Sequence, residues 1–158
     1  MTPHKTLHLS PSRCIGCLNC VLACSSRDWA DFFPAPSRIN LVFFKEGGSV
    51  PLTCFQCDKA PCLGVCRTGA LSRQEDGVVA VNRERCVGCR ACLAVCPFGN
   101  IAYSQAGKSA IKCDLCGGSP RCASVCPSGA LRYREDEDMV KERREAFAKS
   151  LKAAGDLL

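Results

Sequence analysis

The feature that most constrains this chain is the spacing of its cysteines in the stretch 85–100, RCVGCRACLAVCPFGN. Cys86, Cys89 and Cys92 recur at every third position, and Cys96 follows three residues on, directly before Pro97. A loop with thiolates at that interval can reach three corners of a cube whose iron atoms lie a few ångström apart, and the run C-x₂-C-x₂-C-x₃-C-P is the bacterial 4Fe-4S pattern. Tetrahedral zinc takes two ligands from one C-x₂-C knuckle and two from elsewhere, so it has no use for a third cysteine at the same interval. Gly88 lets the backbone lie close to such a cube, or marks a turn. Pro97 ends the local turn and withholds a donor.

The rest of the chain repeats this stretch. Cys14, Cys17, Cys20 and Cys24 have the same spacing as Cys86, Cys89, Cys92 and Cys96. Cys54, Cys57, Cys62 and Cys66 (C-x₂-C-x₄-C-x₃-C) are matched by Cys113, Cys116, Cys122 and Cys126 with one extra residue. Four groups of four account for all 16 cysteines, leaving no thiol for disulfides or nucleophilic catalysis. The tails CRTGAL, CPFGNI and CPSGAL also repeat, each a turn running into an apolar strand. Ser25 and Arg67 stand where the other two groups have proline.

A cysteine content of a tenth also suits a small secreted disulfide protein. Met1 to Pro11 has neither a basic start with an apolar core nor a twin-arginine pair, which points instead to a reduced, cytoplasmic chain. No apolar run approaches the ~18 residues of a membrane span, so no membrane anchor is expected. The net charge of +6 counts thiols as neutral. Four thiolate-ligated oxidised cubes would each bring about two negative charges and leave the loaded protein near about −2, so the basic residues offset cluster charge rather than grip nucleic acid.

In two-cluster ferredoxins the fourth cysteine of each run ligates the cluster of the other run. Which groups are partners is therefore a question for the linkers. Between Cys66 and Cys86, GALSRQEDGVVAVN reads as strand, Asp76-Gly77 turn and strand, the hairpin that joins two halves of one ferredoxin. Groups two and three then form a central module, and groups one and four pair around it, the strand Leu7 to Leu9 facing Ala130 to Tyr133. The expected ligand sets are Cys14, Cys17, Cys20 and Cys126; Cys24, Cys113, Cys116 and Cys122; Cys54, Cys57, Cys62 and Cys96; and Cys66, Cys86, Cys89 and Cys92. The rival scheme pairs group one with two and three with four. The expected fold is α+β: two pseudo-symmetric bacterial-ferredoxin-like modules, an outer one (1–53 and 101–134) enclosing a central one (54–100), with a C-terminal helical tail (135–158).

Residues 6–134 resemble the four-cluster iron-sulfur subunits of molybdenum and tungsten pterin oxidoreductases, such as dimethyl sulfoxide reductase, formate dehydrogenase and aldehyde oxidoreductase complexes. The order of the groups, PLTCFQCDKAPCLGVC and IKCDLC carry that resemblance. It implies the nested pairing and a role as an electron-transfer wire between a catalytic metallopterin subunit and a second redox partner, such as a flavin subunit or ferredoxin. Larger members add a membrane helix or a long insertion in the last group. The compact chain is closer to the small polyferredoxin-like subunit of tungsten aldehyde oxidoreductases, although hydrogenase and carbon monoxide dehydrogenase partners are also small.

An enzyme of its own is not expected. Glycine-rich phosphate loops are absent, no serine, histidine and acid constellation appears, and clusters with four protein thiolates have no open iron site. A metal-stabilised structural module without redox function is the other reading. His4 and His8 have no ligand spacing. The insertion between the first two groups holds Trp29, Phe32, Phe33, Phe43 and Phe44. These either pack over the clusters or dock a partner. Within the insertion, RINLVFF predicts a strand buried on both faces. The tail predicts a helix with acidic residues at its start, Glu137–Lys141 and Glu145–Lys149 pairs, and a thin stripe of Val140, Phe147, Leu151, Ala154 and Leu158. Such a helix should lie against its own core, a catalytic subunit or another copy of the chain.

Overall fold

A computed structural model describes residues 5–28 and 36–153. Its strands pair two by two into antiparallel ribbons, with helices of one or two turns between them, so the chain is α+β. In order, these elements are β1 (Lys5–Leu9), α1 (Asn19–Ser25), β2 (Asn40–Phe43), β3 (Ser49–Leu52), α2 (Pro61–Gly64), β4 (Leu71–Arg73) and β5 (Val79–Val81). There follow α3 (Ala91–Val95), β6 (Ile101–Ser104), β7 (Ser109–Lys112), α4 (Arg121–Ser124), β8 (Leu131–Glu135) and a longer α5 (Asp136–Ala153).

Two of the ribbons set the topology. β4 and β5 form the expected hairpin, with Leu71 opposite Val81. Its turn is closed by Gly77 N donating to Gln74 O at 3.0 Å, while Val78 N donates to the Asp76 carboxylate at 3.0 Å. β1 and β8 come from distant parts of the sequence and pair with Leu7 opposite Tyr133 and Leu9 opposite Leu131. Each pairing serves a separate apolar core. One gathers Cys62, Leu71, Val79, Cys92, Ile101 and Ala110. The other gathers Cys20, Cys24, Ile39, Cys122 and Leu131. A smaller cluster of Val78, Cys113 and Leu115 lies where Cys54, Leu7 and Tyr133 meet. The hairpin β6–β7 belongs by its packing to the core of β4 and β5, through Ile101 and Ala110.

Six of the 17 buried apolar residues described are cysteines. The aliphatic core is therefore thin for a chain of this length, and much of the interior consists of sulfur that bonded metal can hold in place.

The insertion corrects one expectation. β2 is a strand, but it is not buried on both faces: Ile39 is 1% exposed, whereas Phe43 and Phe44 are 58% and 51% exposed. A ribbon of two strands has one face to offer a core, and among the described residues no second layer covers the outer side of β2. Trp29, Phe32 and Phe33 lie outside the described residues, as does His4. His8 sits on β1 with its ring 3.0 Å from the Thr6 hydroxyl.

The tail is helical as expected. Its Glu142 carboxylate accepts from Arg134 at 2.7 Å and lies 3.6 Å from Arg132, which ties the helix to β8. Val140 is 42% and Phe147 65% exposed. The side chains of Glu137 and Leu151, and residues Ala154 and Leu158, lie outside what is described. No described helix is long and apolar enough to cross a membrane.

Candidate metal centres

The backbone repeats at each C-x₂-C pair. The residue just before the second cysteine is left-handed in all four groups: Gly16 at φ +70°, Gln56 at +51°, Gly88 at +69° and Leu115 at +54°. In groups one and three a second left-handed residue follows, Leu18 and Arg90, both at φ +63° and each opening a helix (α1 and α3). Non-glycine residues adopt this region at a cost, and four parallel instances beside cysteines mark a constraint set by the sites rather than by the chain. Gly88 has a further reason to be glycine. A Cβ there would lie 2.8 Å from Lys108 O and 2.9 Å from the Tyr103 hydroxyl, so the β6–β7 hairpin leaves no space for a side chain.

The thiols gather across group boundaries. One cavity of about 330 Å³ is lined by Cys66, Cys86, Cys89 and Cys92. A second is lined by Cys54, Cys57, Cys62 and Cys96. A third is lined by Cys14, Cys17, Cys20 and Cys126. In each, three cysteines come from one group and the fourth from another. Cys24 and Cys122 share the outer core, and burial pushes the Cys122 thiol up to about 12, with Cys113, Cys24, Cys116 and Cys20 adding to it in that order. Burial likewise raises Cys113, with Cys54 and Cys24 contributing. The two thiols at the tails of groups two and four behave oppositely. Burial presses upward on Cys66, but the Leu71 amide, donating at 3.3 Å, and the Thr68 hydroxyl outweigh it and hold the thiol below its ordinary value. Cys126 is held low in the same way by the Leu131 amide at 3.4 Å and Ser128.

The matching families agree with this chemistry. The 4Fe-4S dicluster domain matches residues 46–136, and a 4Fe-4S binding domain matches residues 11–27. The chain belongs to the 4Fe-4S dicluster family. It is 42% identical over 84 residues to the polyferredoxin-like subunit of an aliphatic sulfonate oxidoreductase from Pyrococcus furiosus, covering 52% of this chain and 49% of that protein. The electron transfer subunit PhsB of a Salmonella typhi thiosulfate reductase is 41% identical over 86 residues, covering 49% of this chain and 44% of that one. The B subunit of the anaerobic dimethyl sulfoxide reductase of Escherichia coli is 31% identical over 106 residues, covering 57% and 50%. The match thus spans half the length or less of these curated relatives. A solved structure, the active site complex BamBC of benzoyl coenzyme A reductase with zinc, aligns over 91% of this chain and 90% of that one at TM-score 0.47 and 24% identity.

The residues suit 4Fe-4S clusters. Buried thiols set beside one another resist ionising together, so four thiolates per site become tenable when a cationic iron core sits among them. Hydrogen-bond donors aimed at sulfur are the second requirement. Besides those at Cys66 and Cys126, Arg38 N donates to Cys24 Sγ at 3.2 Å, the Ser49 hydroxyl to Cys14 Sγ at 3.1 Å and Gln56 N to Cys54 Sγ at 3.4 Å. The 16 cysteines match in number the ligands that four 4Fe-4S clusters would need.

Several residues that shape these sites are silent in the sequence pattern. Arg27, just after group one, pairs with Asp114 inside group four. Burial alone would raise the Asp114 carboxyl, but that guanidinium holds it below the usual carboxylate range. Asn100 donates to Thr53 O at 2.6 Å, joining the end of group three to the start of group two. Lys112, only 5% exposed, ends β7 in the wall of the Cys54 cavity. A charged residue closing the apolar strand SAIK is the only hint of it in the sequence.

Proposed function

We propose that this chain is the electron-transfer subunit of an oxidoreductase complex, with its clusters held in a nested scheme. Cys14, Cys17, Cys20 and Cys126 hold the first, Cys24, Cys113, Cys116 and Cys122 the second, Cys54, Cys57, Cys62 and Cys96 the third, and Cys66, Cys86, Cys89 and Cys92 the fourth. The observation that supports this most is the lining of three separate cavities by four thiols each, always three from one group and one from its partner group. When bound, such clusters supply one-electron transfer and no substrate chemistry. The two-core packing supports the reading of the chain as a central ferredoxin-like module, 54–100, enclosed by an outer one, 1–53 and 101–134, except that the first hairpin of the latter stretch packs on the central core.

The protein's own residues hold, insulate and expose these groups. Cys17 and Cys89 are exposed, one in each pair of groups, while Cys24 and Cys113 are buried. That arrangement suits an interior path with a point of contact at either end. The partners are a catalytic tungsten or molybdenum pterin subunit, aldehyde oxidoreductase-like, and a second redox protein such as a flavin subunit or ferredoxin, working in the reducing cytoplasm. The tail helix, on which Val140 and Phe147 are partly exposed, is the surface for the catalytic subunit or a further copy of the chain. The experiment is anaerobic purification of the native complex with optical spectra. Broad absorption near about 400 nm that bleaches with dithionite, together with a co-purifying metallopterin subunit, is the expected result. A colourless chain, or one whose iron cannot be reduced, would leave a structural module instead.

A further inference from the structure

Lys112 is a buried cation whose ammonium has three acceptors within reach: Val79 O at 2.6 Å, the Gln56 side-chain oxygen at 3.0 Å and Cys113 O at 3.2 Å. All three are neutral oxygens. An ammonium has three donors and no acceptor, and three oxygens stand around this one. Burying a charge without a carboxylate among its hydrogen-bond partners is costly, and a wholly structural contact at this strand end could be made by a neutral side chain.

The position of this charge gives it a use. Lys112 lines the cavity of Cys54, Cys57, Cys62 and Cys96. It also grips the carbonyl of Cys113, from the set with Cys24, Cys116 and Cys122. Gln56 completes the node. It lies between Cys54 and Cys57, accepts from Val79 N at 3.0 Å and donates to Cys113 O at 2.8 Å. One fixed cation therefore stands at the junction of the central and outer groups, braced from both sides. We propose that Lys112 is a positioning and tuning residue that raises the reduction potentials of the two clusters flanking it relative to the two at the exposed ends. Reduction adds one electron and makes each cluster more negative, so a cation fixed in a low-dielectric interior stabilises the reduced form.

The inference rests on the proposed ligand sets, which are tested separately by ligand replacement. Its own test is a redox titration of the holoprotein followed by electron paramagnetic resonance, on Lys112→Met, Lys112→Arg and Gln56→Glu. In Lys112→Met two of the four midpoint potentials should fall while the other two hold, and Lys112→Arg should restore them toward wild type. Gln56→Glu keeps the lysine but sets a carboxylate against it, and should lower the same two. Unmoved potentials, an equal shift of all four, or failure of every variant to load four clusters would overturn the proposal, the last by showing a structural role alone.

Discussion

The central and outer pairs of cysteine groups carry almost the same cysteine spacing, yet they are held together by different means. The central pair is joined by a local hairpin, β4–β5, whose turn spans a few residues and whose Val79 is fully buried. The outer pair is closed by β1 with β8 and by the ion pair of Arg27 with Asp114, contacts between residues far apart in sequence. Near-identical ligand spacing thus says nothing of how a site is supported. Closing a longer loop costs more chain entropy, though the cost grows slowly with length, so the outer pair should depend more on its metal and on polar contacts than the central pair.

Removing iron is the largest perturbation and tests that difference directly. Anaerobic chelation should abolish most native circular dichroism, since the aliphatic core is thin. Hydrogen exchange during the loss should show the amides of β1 and β8 opening before those of β4 and β5. Simultaneous opening would erase the distinction drawn between the two pairs. Val79→Ala comes next, at about 2 kcal/mol for a fully buried side chain. Its effect should appear as faster loss of the clusters bound by central groups, with the β1–β8 amides little changed.

Asp114→Asn acts on the other side. Removing the partner of Arg27 should destabilise the outer pair by about 1–2 kcal/mol. Because the Asp114 carboxyl is held below its usual range, its contribution is present above the ordinary aspartate range and is lost as pH falls through the lowered value. Acid stability measured on wild type and Asp114→Asn should therefore converge at low pH, and parallel curves would contradict this.

What was legible in the sequence was the part dictated by cysteine spacing and turn chemistry. The Asp76-Gly77 turn and the tail helix follow from local pattern, and the pairing of Leu7 to Leu9 with the strand after Ala130 follows from which cysteine groups are partners. The burial of β2 was not legible, because an apolar run such as RINLVFF does not reveal whether a second layer exists to cover it. Lys112 and Gln56 were hidden for a related reason. Their roles depend on three segments meeting at Cys113, and each residue alone looks like an ordinary polar position in a loop or at a strand end.

The smallest effect on the clusters is expected from the tail. A protein truncated after Arg134 loses α5 and its Glu142 contacts but no cysteine. It should retain all four clusters and lose assembly with the catalytic subunit or with further copies. A truncated protein that assembles and transfers electrons normally would remove α5 from the account.

The nested ligand scheme is tested most directly by Cys126→Ser, followed by electron paramagnetic resonance and a structure of the loaded variant. Cys126 follows closely on Cys122 in sequence but lines the cavity of Cys14, Cys17 and Cys20. The cluster bound by those three cysteines should be damaged, while the one bound by Cys24, Cys113, Cys116 and Cys122 keeps its signal. Damage to the cluster of Cys113, Cys116 and Cys122 with the Cys14 site intact would contradict the nested scheme.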